Sequence, residues 1–176
     1  MRYLIVSLLS ERRSTSVGGG HIRSLAETAA KLAESEYVRV LSLGTMFPKS
    51  IKTRLNKENV AVVSKPINLF NAFYAERIVL DEVRKKEINA ILCFDHLAYV
   101  YLLSISRSIP VVLIRCGGPN PSKSFPEANN IIVYSQENLE WFKQHRPRSR
   151  IMFMPNRVSL PVLNQVIPKE IGLPQD

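Results

Sequence analysis

Hydrophobic residues fall into short continuous runs separated by longer amphipathic stretches. The first run is Tyr3-Leu4-Ile5-Val6-Ser7-Leu8-Leu9. Residues 2–9 read as a strand buried on both faces, because a strand with one wet face would alternate. Similar runs follow at Tyr37–Leu43, Val60–Val63, Ala90–Phe94, Val111–Ile114, Ile131–Tyr134 and Ile151–Met154. Between the first two, Ile22, Leu25, Ala26, Ala29, Leu32 and Ala33 recur at helical spacing and predict a helix over 18–34. Phe73, Ala75, Ile78, Val79 and Val83 predict another over 70–87. Asp95 is a natural N-cap for a helix running to about Arg107, and Ser135 for one from Gln136 to about His145. The basic segment Thr45 to Asn59 shows no clear period.

Strands alternating with helices define the fold class: α/β, a Rossmann-like parallel sheet of about seven strands with helices on both faces. The 176 residues suit one domain, placed at 1–160. Pro161, Pro168 and Pro174 mark 161–176 as a linker. Ligands of such sheets bind beyond the carboxyl ends of the strands. The loops there are Ser10–His21, Gly44–Pro48, Asp95-His96, Arg115–Pro119, Ser135-Gln136 and Pro155–Ser159, and they should share one rim.

The chemistry-bearing residues sit in those loops. Gly18, Gly19 and Gly20 allow close backbone approach to a ligand, and the first N–H groups of the following helix can bind an anion. A plain tight turn explains the glycines equally well. His21 can hydrogen-bond a phosphate or an acceptor, and Arg23 can pair with a phosphate; both also fit as solvated first-turn residues. Asp95 can serve as a base toward an acceptor hydroxyl with His96 tuning it, or simply cap its helix. Arg115 can meet a phosphate. Cys116, Gly117 and Gly118 allow close approach at the end of the fifth strand, or make an ordinary turn. Ser135 reads first as a helix cap and Asn156 as a turn residue.

Charge narrows the partners. The formal net charge is +9 and the pI about 9.8, which favours phosphate-bearing partners or anionic lipid. Lys49, Lys52, Arg54 and Lys57 form one basic group, Arg84 to Lys86 a second, and Lys143 to Arg150 a third. No RNA-type aromatic motif or zinc-finger spacing is present, so specific nucleic-acid reading is not expected. Cys93 and Cys116 read as buried reduced thiols without a metal motif. The apolar runs are too short to span a bilayer, and the N-terminus lacks the pattern of a signal peptide. A cytoplasmic protein is the expectation, with peripheral contact to an anionic membrane through the Lys49–Lys57 group as a further possibility.

The motif Gly18-Gly19-Gly20-His21-Ile22-Arg23-Ser24-Leu25, followed by the strand Val38–Leu43, resembles the N-terminal domain of group 1 glycosyltransferases, retaining enzymes of the GT-B fold. Ile109-Pro110-Val111-Val112 resembles their fifth strand. Ile131–Ser135 with Leu139 and Phe142 resembles their strand-serine-helix unit, and Met154-Pro155-Asn156-Arg157-Val158 their Pro-Asn-Gly-Val turn. Lys169–Asp176 is similar to the segment leading into the family's second domain. Two departures stand out. Cys116 occupies the place where many members carry a histidine near the transferred sugar. Arg157 and Ser159 replace the usual Gly and Asp of the turn.

The resemblance implies transfer of a hexose-type sugar from a nucleotide-sugar to a glycan, lipid or small-molecule acceptor, with no metal or other cofactor. It also implies a second, donor-holding domain beyond residue 176, without which the chain is expected to be inactive. Two other readings stay open: a non-catalytic Rossmann-like module binding a nucleotide or phosphosugar, and a sugar-nucleotide epimerase of the same architecture. A dehydrogenase is disfavoured, because the glycines are contiguous and the second strand ends in Ser42-Leu43 without an acidic ribose partner.

Overall fold

Seven strands form one sheet in which every pairing is parallel, in the order β3-β2-β1-β4-β5-β6-β7. A computed structural model describes residues 1–8, 20–44, 47–68, 72–116, 119–122 and 125–155. The strands are β1 (Arg2–Ser7), β2 (Tyr37–Ser42), β3 (Ala61–Ser64), β4 (Ala90–Cys93), β5 (Val111–Arg115), β6 (Asn130–Val133) and β7 (Arg150–Phe153). The helices are α1 (Gly20–Ala33), α2 (Lys49–Lys57), α3 (Ala75–Lys86), α4 (His96–Val100) and α5 (Gln136–His145). The segment 161–176 and Asn156 lie outside the described residues, as do Gly18, Gly19, Gly117 and Gly118.

The inner strands appear where the apolar runs predict them because their side chains are buried from both sides, whereas of the edge strands β3 buries Val62 alone and β7 leaves Arg150, Met152 and Phe153 exposed. Leu4, Val6, Leu41, Ile91, Cys93, Val111, Leu113, Ile131 and Val133 face one layer, with Val79 and Val83 of α3, Ala98 of α4 and Phe142 of α5. Ile5, Val38, Val40, Leu92 and Ile114 face the other, with Leu25, Ala26 and Ala29 of α1 and Leu55 of α2. Helices leaving β1 and β2 therefore cover one face, and those leaving β3, β4 and β6 the other. Right-handed crossovers in this strand order require that division. The two central strands lie in register, Ile5 beside Leu92 and Val6 beside Cys93, yet their chains leave in opposite directions. Their carboxyl ends frame the topological switch point of the sheet.

The helices depart from the sequence pattern in two places. The segment without a clear period contains α2, whose only buried residue is Leu55, so its periodicity is invisible. The predicted helix from Asp95 to Arg107 is instead a short α4, then turns and a 3-10 turn at Ile105–Arg107. Tyr99-Val100-Tyr101 and the serines at 104, 106 and 108 are weak helix formers, and serine hydroxyls compete for backbone carbonyls. Ser106 and Ser108 do this, donating to the carbonyls of Leu103 and Ile105.

The outer edge is fixed by a buried ion triad. Glu82 on α3 is nearly inaccessible. Its Oε2 accepts from Arg39 Nε of β2 at 2.7 Å, and its Oε1 lies 3.1 Å from Lys65 Nζ just after β3. Burial by itself raises the Glu82 carboxyl; Lys65 and Arg39 overcome it and hold the group below its ordinary 4.5. Folding lowers this value, so the triad's contribution is complete above the unfolded value and fades as pH falls through the folded one. Glu82→Ala strands two cations against the helix and is expected to cost about 2–4 kcal/mol in urea unfolding at pH 7. Its penalty should shrink as the pH is lowered below 4.5. An equal penalty at pH 3 and pH 7 would contradict the triad's role.

Candidate functional site

A hollow of about 220 Å³ opens at the switch point. Among the described residues four parts of the chain line it. Leu8 and His21 flank the β1–α1 junction. Phe94, Asp95, His96 and Leu97 lead from β4 into α4. Ile114, Arg115 and Cys116 end β5, with Phe125 closing the floor. Five candidates chosen from the sequence, His21, Asp95, His96, Arg115 and Cys116, thus meet in one place. Parallel strands bring them together because every carboxyl end points the same way.

Asp95 is the joint of the site. Its Oδ2 accepts the Leu8 backbone N–H at 2.7 Å and the Ser7 hydroxyl at 3.3 Å. Its Oδ1 accepts the Ala98 N–H at 2.6 Å, capping α4. One carboxylate therefore clasps the end of β1 to the start of α4 across the reversal in strand order. Both oxygens are engaged by backbone N–H groups, so accepting a proton from a substrate would compete with this framework.

The cationic side of the hollow is built differently. Arg115 is half-buried at the end of β5. Its Nη2 donates to the Pro119 carbonyl at 2.7 Å, its guanidinium carbon sits 5.9 Å from the Phe125 ring centre, and its buried Nε has no acceptor among the described residues. Burial lowers the Arg115 value, with Cys116 opposing slightly. Partial enclosure, then the Arg115 charge, hold His21 below the usual imidazole value, while Asp95 pulls it upward. His96 is exposed, its ring 5.3 Å from that of Phe125. The Cys116 thiol packs against Ser24 of α1, and burial pushes it up to about 12, so it is a protonated, uncharged wall of the hollow. Cys93 is fully buried and donates to the Asp95 carbonyl at 3.1 Å.

The remaining candidates fall elsewhere. Gly20 is the exposed first residue of α1, and a Cβ added there meets nothing within 4 Å. Arg23 is exposed on α1. Ser135 caps α5, its Oγ accepting the Asn138 N–H at 3.2 Å, and does not line the hollow. Asn156, Gly18, Gly19, Gly117 and Gly118 lie outside the described residues. Phe125 and Leu8 escaped the sequence reading. Phe125 is an isolated aromatic in the polar stretch Ser122–Asn130, and that isolation was its one available signal. A second, wider groove of about 570 Å³ runs between the ends of α1 and α2, at the opposite edge of the sheet. Its Arg54 is held by Glu27 at 2.7 Å and Glu58 at 3.2 Å, so this member of the basic group is already neutralised.

No protein-family model and no curated protein sequence matches the chain. Solved structures do. A glycosyltransferase from Rickettsia africae superposes with a TM-score of 0.66 at 14% identity, over 89% of this chain and 44% of its own. Anabaena HepE in complex with UDP gives 0.64 at 17%, over 89% and 44%. The lipopolysaccharide outer core galactosyltransferase WaaB gives 0.64 at 13%, over 92% and 47%. The chain thus spans less than half the length of each of these neighbours. At these identities the likeness is one of fold: the sheet and helices are those of the N-terminal half of GT-B glycosyltransferases.

Two substitutions separate framework from ligand contact. Asp95→Asn replaces an acceptor oxygen with an NH₂ facing a backbone N–H, and should cost about 1–3 kcal/mol. Faster hydrogen exchange at Leu8 or Ala98 should accompany it; unchanged exchange at both would remove the clasp. Gly20→Ala should be neutral or add about 0.5 kcal/mol to stability, since no positive φ or close neighbour resists it. Thermal unfolding that shows clear destabilisation would contradict this geometry.

Proposed function

We propose that the chain forms the acceptor-side half of a glycosyltransferase that moves a hexose from a nucleotide-sugar to an acceptor. The observation that carries the reading is the placement of the hollow. It opens at the switch point of a sheet whose fold is shared over 89% of the chain with glycosyltransferases, one of them solved with UDP. A hollow of about 220 Å³ is smaller than the roughly 300–1,000 Å³ of a complete small-molecule pocket. It has room for a sugar or phosphate group rather than a whole nucleotide-sugar, as expected of one wall of a cleft.

In this reading the donor's nucleotide is held by a second domain, and transfer proceeds with retention at the anomeric carbon. Charge building on the departing diphosphate is stabilised by basic side chains and helix N-termini, with no metal or other cofactor. Arg115 and His21 supply charge and hydrogen bonds, and Gly18, Gly19, Gly20, Gly117 and Gly118 allow close approach. Asp95 holds the site's shape, and His96 is the freer of the pair to meet an acceptor hydroxyl. Lys49, Lys52 and Lys57, all exposed on α2, can bring the protein to an anionic membrane where a lipid-linked acceptor would reside. No helix of the described residues is long and apolar enough to cross a membrane.

The test is a donor screen on the complete gene product that carries this chain, following sugar release from a panel of nucleotide-sugars. Turnover with at least one donor is expected. No turnover with any would favour a binding module over an enzyme. The chain alone should bind UDP-glucose only at millimolar strength by calorimetry, roughly 4 kcal/mol. Micromolar binding, roughly 8 kcal/mol, would mean that the site is complete within these residues.

A further inference from the structure

Three of the eight large apolar side chains that are exposed among the described residues cluster between positions 97 and 103. Leu97, Val100 and Leu103 are 59%, 48% and 43% accessible, whereas Ala98, Tyr99, Leu102 and Ile105 beside them are buried in the core. An outward helix face is ordinarily polar. Here the backbone lines the three apolar residues up. The Tyr101 N–H donates to the Ala98 carbonyl at 3.1 Å and the Leu102 N–H to the Tyr99 carbonyl at 2.9 Å, so the end of α4 tightens into bonds that reach back three residues. Residues three apart then stand nearly above one another, and Leu97, Val100 and Leu103 form one outward row. Six steps along it, each of about 1.5–2.0 Å, give a length of about 9–12 Å.

The row is continuous with the hollow. Leu97 belongs to both, and with Leu8, Phe94, Ile114 and Phe125 it makes much of the hollow's wall apolar. His96, which the transfer reading assigns to an acceptor hydroxyl, immediately precedes Leu97 and lines the same hollow. No charged residue occurs from Leu97 to Ser106, so in a chain of net charge +9 this face selects by apolar contact and not by charge. Three half-exposed side chains offer far less than the roughly 800 Å² that each partner buries in a stable protein interface. Their area suits a single apolar substituent.

We propose that the sugar acceptor is an amphiphile whose apolar group lies along Leu97, Val100 and Leu103 while its hydroxyl is held at His96. This rests on the transfer reading above and names the acceptor class within it: an alkyl-bearing molecule, not a wholly polar glycan. Affinity then rises with the length of the alkyl chain until the chain passes Leu103. A methylene taken fully out of water gains a factor of about four, and a chain with one side still wet gains about twofold per methylene.

Methyl NMR of the chain tests this, with n-butyl, n-hexyl and n-octyl β-D-glucoside added below their micelle-forming concentrations. Affinity should rise about fourfold at each step of two methylenes. The Leu97 and Val100 methyl signals should respond to the hexyl compound, and the Leu103 signal to the octyl one. The Met152 signal, exposed on β7 at the edge of the sheet, should stay in place. Leu97→Gln with Val100→Gln should flatten the dependence on chain length and leave the thermal midpoint within a few degrees, because both side chains are exposed. Equal affinity across the series, a Met152 response matching that of the row, or a chain-length dependence that survives the double substitution overturns the proposal. So does binding to neutral phosphatidylcholine vesicles, or self-association, that the double substitution abolishes while all three glucosides bind alike; the row would then belong to a bilayer or to a second copy. The complete gene product separates the row from the transfer reading. Transfer to alkyl glucosides with the same KM at every chain length removes the row and keeps the transfer reading. A chain-length response in a protein that turns over no donor keeps the row as a binding site and removes the transfer reading.

Discussion

The site depends on one carboxylate. In a parallel sheet whose strand order reverses, two neighbouring strands send their chains apart, and the gap between their carboxyl ends must be held open at a fixed width. Asp95 does this by accepting N–H groups from both sides, Leu8 at the end of β1 and Ala98 in the first turn of α4. The pairing of β1 with β4 ends at Val6 and Cys93 with one further bond from the Phe94 N–H to the Val6 carbonyl, and beyond it this side chain links the two segments. Charge-assisted hydrogen bonds to backbone donors are short and directional, which suits a spacer better than apolar packing would.

That role also explains a division among the candidate residues. Asp95 reads from the sequence as a base or as a cap, and the two are physically exclusive to a degree. A base needs a lone pair aimed at substrate, and both Asp95 oxygens are aimed at backbone. His96, one residue on, is exposed, and among the described residues its contact is the ring of Phe125. The chemistry at the β4 edge therefore shifts from the residue that builds the frame to the one standing on it. Cys116 shows the same logic in reverse. Its thiol packs toward Ser24 and stays protonated, so the place where the resembling family carries a histidine holds an uncharged, apolar surface.

What the sequence shows depends on how each element is buried. The inner strands are legible because the covered sheet makes them continuous apolar runs, the edge strands β3 and β7 are apolar runs that stay partly exposed, and α1 is legible because four of its residues face the core. The α2 helix buries Leu55 alone and leaves no period to read. At α4, a good N-cap announces a helix, but nothing in Asp95 says that the chain five residues later will prefer turns. Ion triads are hidden for another reason. Arg39 and Glu82 are 43 residues apart, and only the crossover from β3 through α3 brings them together. The site residues at strand ends are readable because topology alone sends them to one rim. Phe125 lies between β5 and β6 in a polar stretch that no periodicity marks.

The charge balance of the fold follows from these placements. Of the carboxylates near the helix–sheet joints, Glu82 is committed to two cations and Asp95 to backbone N–H groups, while Glu27 and Glu58 share Arg54. Each fixes structure where it stands, and among the described residues none forms an ion pair with Arg115. In a chain of net charge +9 cations outnumber anions, but solvated lysines are screened within about 8–10 Å and select little. A partly buried guanidinium is screened less, because protein replaces some of the water around it. The general basicity of the chain thus draws anions toward the molecule. With Asp95 committed to the frame, Arg115 at the end of β5 is met, among the described residues, by the Pro119 carbonyl and the Phe125 ring.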